Sequence, residues 1–250
     1  MKNVIFIVMC SIAILSQAQK KEQKLSSKDT GIWEPVPPTV TPANKNNLPS
    51  DAIILFNGGN FNNWVSTKDS GQVDWILNKD KSMTVSRSKV NAGIKTKESF
   101  GSMQLHLEWK SPKSDLNKFG QHRGNSGVFI QERYEIQILD NNNNPTYSNG
   151  QVSSIYKQTI PLVKASVPTG EWNNYDIIYH APEFKEDKTL TKPATITVIH
   201  NGILVIDHFT LKGSTKFIGT PEYKAHGEAP IMLQNHDSPV SYRNIWLRKL

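Results

Sequence analysis

Short runs of alternating apolar and polar residues recur from Ala52 to the C-terminus, each bounded by Gly, Asn, Pro or Asp. Such alternation puts one set of side chains on each face of a strand. The pattern predicts strands at AIILF, WILN, SMTVS, GIKT, MQLHLEWK, SGVFI, YEIQIL, YDIIYH, ATITVIH, ILVIDHF, APIMLQNH and VSYRNIWLRKL. Asn201-Gly202, between TVIH and ILVID, predicts a tight hairpin because both residues tolerate positive φ. No long segment with a helical period and caps occurs, and no internal repeat is visible. Residues 51–250 therefore predict a single all-β domain, a jelly-roll sandwich of two antiparallel sheets.

The pattern breaks before that domain. Residues 1–18 have a short basic start, the apolar run VIFIVMCSIAIL and a small-residue site at Ser16-Gln17-Ala18, which is the layout of a secretory signal peptide. The run is too short to span a bilayer. Met9 stands where lipidation of Cys10 would need a small residue. Residues 19–50 form a polar, proline-rich tether with five prolines, in which Trp33–Thr41 is expected to dock as an extended strap. The expected location is therefore exported, in a periplasm or outside the cell. Cys10 is the one cysteine and would leave with the signal, so the mature chain has no disulfide, thiolate ligand or cysteine nucleophile.

Charge narrows the partners. The net charge of +7 includes Lys2, and the densest basic cluster is Lys20–Lys24, just after the cleavage site. No basic stripe supports nucleic-acid binding, and no later segment is long and apolar enough to cross a membrane.

Three polar clusters interrupt the apolar pattern. In YEIQILD, Glu135 and Gln137 share one strand face while Tyr134, Ile136 and Ile138 take the other, and Asp140 follows. The stretch Gly120–Gly127 sets His122 and Arg123 between glycines that allow close backbone approach, although a turn with two exposed polar residues fits it equally. In LQNHD, Gln234 and His236 share a face, and Arg243 follows in the next predicted strand. Amides, a carboxylate, histidines and an arginine together suit sugar hydroxyls, which need both donors and acceptors. His106, His180, His200 and His208 lack a clear polar neighbour on their own strand face. No spacing makes a metal site compelling, although Glu135, Asp140 and His236 could hold a divalent ion if the fold gathered them. Ordinary glycoside hydrolysis needs two carboxylates roughly 5 to 9.5 Å apart. Jelly-roll glycosidases resembling laminarinases carry acids at three alternate positions of one strand, where this chain has Glu135, Gln137 and Leu139.

HRGNSGVFIQERYEIQILD, SIYKQ, GEWNNYDI, HNGILV and LQNHDSPVSYRNIWLRKL occur in an order that resembles the 3-keto-disaccharide hydrolase domain family, also described as 3-keto-glucoside-1,2-lyase/3-keto-2-hydroxyglucal hydratase. ILFNGGNFNNW is similar to the family's usual opening, and WEPVPPTVTP resembles a strap of its exported members. The resemblance implies a concanavalin A-like, laminin-G-type sandwich acting on glycosides already oxidised to a ketone at carbon 3. The ketone acidifies the carbon 2 hydrogen, so one base can start elimination of the aglycone, and water can then add. On that basis His236 is the expected base, histidine's ordinary pKa being about 6.5. Glu135 is the rival base or its partner, and Arg123 stabilises enolate charge with His122. Gln137, Lys157, Gln234 and Arg243 bind substrate, and Asp140 is the residue to watch for a metal. A sugar 3-dehydrogenase would supply the substrate. The competing expectation is a non-catalytic carbohydrate-binding sandwich with Trp172 or Tyr156 as an aromatic platform.

Overall fold

A computed structural model describes residues 25–44, 48–88 and 91–250. The expected signal peptide and the Lys20–Lys24 cluster lie outside the described residues. The chain divides into two compact units, Met1–Val40 and Thr41–Leu250. In the described part of the first, Ser27–Thr30 forms one helical turn and Ile32, Trp33 and Val36 are exposed.

The second unit is an antiparallel sandwich. Its eight-stranded sheet runs, edge to edge, through Ile203–Thr210, Thr195–His200, Asn173–His180, Met103–Lys110, Ser241–Lys249, Met83–Thr84 and Ile76–Leu77, with Ile53–Phe56 also pairing with Ser241–Lys249. Its five-stranded sheet has the order Trp64–Ser66, Ile94–Thr96, Met232–Leu233, Ser126–Ile130 and Tyr134–Ile138. A small ladder joins Glu183–Phe184 to Leu190–Lys192.

Alternation builds the core as the sequence predicts. Met103, Leu105, Leu107 and Trp109 from one sheet and Val128, Ile130, Ile136 and Ile138 from the other belong to one buried cluster. The Asn201-Gly202 turn has φ values of 51° and 77° and joins two paired strands. APIMLQNH contributes only the short strand Met232–Leu233, while the strands Trp64–Ser66, Glu183–Phe184 and Leu190–Lys192 have no counterpart in the predicted set. Those three are short, and their local pattern is too brief to register as alternation.

Two histidines find the polar neighbours that their own strands lack. His200 is fully buried, with Nδ1 at 2.9 Å from Ser153 Oγ and Nε2 at 2.9 Å from Asn173 Oδ1. Burial pushes its pKa down to about 4, so it is a neutral structural group. His106 lies 2.7 Å from Asp176 and stacks on Trp246. In both cases the partner comes from a distant strand or loop, which periodicity along one strand cannot reveal.

Candidate active site

The outer face of the five-stranded sheet carries the site. Pointing Ile136 and Ile138 into the core forces Glu135 and Gln137 to the opposite face. Tyr134–Ile138 is the last strand of its sheet, and other segments cover its free edge. Gln137 N donates to Ser154 O at 3.0 Å, Tyr156 N donates to Glu135 O at 3.0 Å, and Glu135 N donates to Thr215 Oγ1 at 3.0 Å. The strand, the segment around Tyr156 and the segment around Thr215 thus form one structure. Together with Gly120–His122 and the residues after Met232–Leu233, they enclose a cavity of about 540 Å³. Its lining includes Gln121, His122, Asn125, Glu135, Gln137, Gln234 and His236 on polar ground, with Phe129, Tyr147, Tyr156 and Phe217 adding ring surface. A more open hollow of about 490 Å³ around Phe61 and Lys97 contains no carboxylate or histidine.

Glu135 is the unusual group. It is 5 % exposed, and among the described residues its carboxyl has no hydrogen-bond or ion-pair partner. Burial pushes its pKa up to about 8. It therefore holds its proton at neutral pH. A Cβ at Gly127, in the neighbouring strand, would stand 2.6 Å from Glu135 Oε1. The absent side chain makes the space in which the carboxyl rests.

Gln137, 1 % exposed, is fixed by its amide nitrogen, which donates to Gln121 Oε1 at 3.2 Å and Asn125 Oδ1 at 3.1 Å. Its carbonyl Oε1 is buried without a donor, and so is that of Gln234. An unpaired buried carbonyl is costly, and a hydroxyl from a ligand would relieve it.

His236 reaches the cavity from outside any strand, in an exposed turn. Alternation nevertheless persists past Leu233: Leu233 is buried in the core, Gln234 and His236 line the cavity, and Asn235 Nδ2 donates to Ser86 O at 2.9 Å. Behind the turn lies the fully buried Asp115, which accepts from Ser238 Oγ and from Arg87 Nη2 at 2.6 Å. Arg87 Nε also donates to Asp237 O at 3.2 Å. Burial raises the Asp115 pKa, but bonds from Ser238 and Lys118 and the cations of Lys118 and Arg87 outweigh it and leave the carboxyl below its ordinary value.

Four expected site residues do not line the cavity. Arg123 is buried, with Nε donating to Asp140 Oδ2 at 2.9 Å, and Thr169 Oγ1 donates to the same carboxylate oxygen at 2.7 Å. Asp140 is thus held by Arg123 and Thr169, away from Glu135 and His236. Among the described residues, no group of three His, Cys, Asp or Glu side chains could hold a metal ion. Arg243 belongs to the eight-stranded sheet, where it donates to Glu108 Oε2 at 2.6 Å and covers the Trp172 ring at 4.1 Å. Lys157 stands beside the cavity, its Nζ donating to Phe217 O at 2.6 Å. Of the two candidate aromatic platforms, Tyr156 lines the cavity and Trp172 does not. Thr215 and Phe217 have no sequence signal, because they sit in the non-periodic stretch KGSTKFIGT.

A sandwich cavity that joins a buried carboxyl and amides on the sheet to two histidines from flanking loops and a ring-lined wall suits a carbohydrate-active site. The chain belongs to the 3-keto-alpha-glucoside-1,2-lyase-like domain family, which matches residues 51–248. A crystal structure from Parabacteroides distasonis ATCC 8503, described as a candidate glycosyl hydrolase, is 47% identical, covers 90% of this chain and 97% of its own, and has a TM-score of 0.84. A second from that organism, described in the same words, is 20% identical over 80% of this chain and 94% of its own, with a TM-score of 0.59, a likeness of fold alone. No curated protein matches the sequence.

Proposed function

We propose that the chain cleaves 3-keto-glycosides by elimination. One observation carries this reading: among the described residues lining the cavity, Glu135 is the only carboxyl, buried without a partner so that its pKa is raised to about 8. A two-carboxylate glycosidase needs a second acid that is missing here. A substrate with a ketone at carbon 3 does not need it. His236 takes the proton from carbon 2, the C–H electrons form the C1=C2 double bond through the enolate, and the bond from carbon 1 to the aglycone oxygen breaks. Glu135 gives its proton to the departing oxygen. His122 stabilises the enolate oxygen, while the unpaired carbonyls of Gln137 and Gln234 accept from sugar hydroxyls. Water adding across the double bond makes the net change hydrolysis. The substrate requires prior oxidation by a sugar 3-dehydrogenase, and the leader-like N-terminus supports an exported location.

A pure binding module has no use for an unpaired buried carboxyl, whereas an acid catalyst requires its raised pKa. The test is turnover of methyl 3-keto-α-glucoside against methyl α-glucoside. We expect consumption of the oxidised substrate alone, with loss of turnover in Glu135→Gln and His236→Ala. Full activity in both variants would sink the assignment.

A further inference from the structure

We propose that the ring-lined side of the cavity is the leaving-group subsite, and that it accepts a flat, apolar aglycone rather than a second sugar. The inference deepens the elimination reading and rests on Glu135 as the acid, because an acid that protonates the leaving oxygen marks the boundary between sugar and aglycone.

The strand Tyr134–Ile138 gives that boundary a direction. Gln137 lies toward its C-terminal end, where Gln121 and Asn125 hold its amide. Thr215 is bound at the other end, its Oγ1 accepting from Glu135 N at 3.0 Å and its N donating to Arg133 O at 2.8 Å. Phe217 follows two residues later, and Tyr156 is bonded alongside through Glu135 O. Along the strand, Gln137 comes first, then the acid, then the Thr215 contact with Phe217 beyond it.

The two ends differ in what they have left to offer. The amide end has the unpaired carbonyls of Gln137 and Gln234, which suit the hydroxyls of the oxidised sugar. At the ring end each polar group has a partner, and among the described residues no lining carbonyl there is left unpaired. Tyr147 and Tyr156 bond each other through their hydroxyls at 2.6 Å. Lys157 Nζ is bound to Phe217 O and lies 4.4 Å from the Phe217 ring centroid, 5.6 Å from that of Tyr147 and 5.7 Å from that of Tyr156. A second sugar would find few free partners there. A flat apolar group would find ring faces, with Phe217 70% exposed and Ile218 81% exposed at the edge.

The experiment compares benzyl and methyl 3-keto-α-glucosides, whose leaving alcohols have nearly equal basicity, so the ratio of their kcat/KM values reports contact rather than bond strength. A 3-keto-disaccharide is the third substrate. We expect benzyl to be favoured about tenfold over methyl, the size of one good ring contact. The ratio should fall toward one in Phe217→Ala and be retained in Phe217→Tyr. Equal efficiency for benzyl and methyl, an undiminished ratio in Phe217→Ala, or a disaccharide that outpaces benzyl would overturn the subsite. Turnover of none of the three would instead overturn the elimination reading.

Discussion

Glu135, the proposed acid, also carries a pH-dependent contribution to stability, because burial raises its pKa. The unfolded chain releases this proton near the ordinary value of 4.5, whereas the folded chain keeps it to about 8. A raised folded pKa means that stability is fully present below 4.5 and is lost as pH rises through 8. At pH 7 the loss amounts to about 3 kcal/mol, from 2.5 units at about 1.4 kcal/mol each. Glu135→Gln should therefore be about 3 kcal/mol more stable than the parent in urea unfolding at pH 7, with the gap closing near pH 4. The same variant should lose about 100-fold or more in turnover. In the parent, activity on a 3-keto-glucoside should decline above about pH 8, where the acid gives up its proton. A rate that kept rising through pH 9 would exclude Glu135 as the proton donor. Gly127→Ala should impair turnover as well, because its methyl group would displace the Glu135 carboxyl.

The turn that carries His236 depends on Asp115, which binds Ser238 directly and Asp237 O through Arg87. Asp115→Asn keeps the shape and removes the charge. We expect kcat to fall about tenfold or more with KM little changed, since small displacements of a reacting group are expensive. A variant that merely unfolded more easily would keep the parent kcat per folded molecule. Strands and faces were legible in the sequence because burial imposes a period of two, which placed Glu135, Gln137, Gln234 and His236 on one surface. What the period cannot carry is which strand sits beside which. Arg243 follows His236 closely in sequence yet belongs to the other sheet, paired with Glu108. Arg123 and Asp140 looked like site residues because they flank the site strands, but they neutralise each other across a loop. Phe217 was illegible because its position follows from the contacts of Thr215, not from any local pattern.

For the protein as a whole, Glu135 and His200 tilt the pH dependence of stability in opposite directions. The depressed pKa of His200 means that stability is present above 6.5 and is lost as pH falls through about 4. Between 4.5 and 6.5 the two slopes oppose each other, and their joint contribution is nearly level. From pH 6.5 to 8 only Glu135 acts, and its contribution should fall by about 2 kcal/mol. Replacing Glu135 by Gln unmasks the other slope: the His200 contribution should then climb by about 3 kcal/mol from pH 4 to 6.5 and level off, with His226, whose pKa burial also lowers, adding in the same direction. Denaturant midpoints of the two proteins across this range would settle the matter, and parallel curves would refute it.

Gly213 and Gly219, with φ of 122° and 103°, bracket the segment that bears Thr215 and Phe217. That segment meets the acid-bearing strand through Thr215, whose Oγ1 accepts from Glu135 N and whose N donates to Arg133 O just before the strand, leaving the ring beyond it as an interchangeable part. In the proposed mechanism, reaction and choice of aglycone therefore rest on separate parts of this architecture. Changing the residues after Thr215 should redirect the enzyme to new glycosides without rebuilding its chemistry, a natural handle for diversification and for engineering.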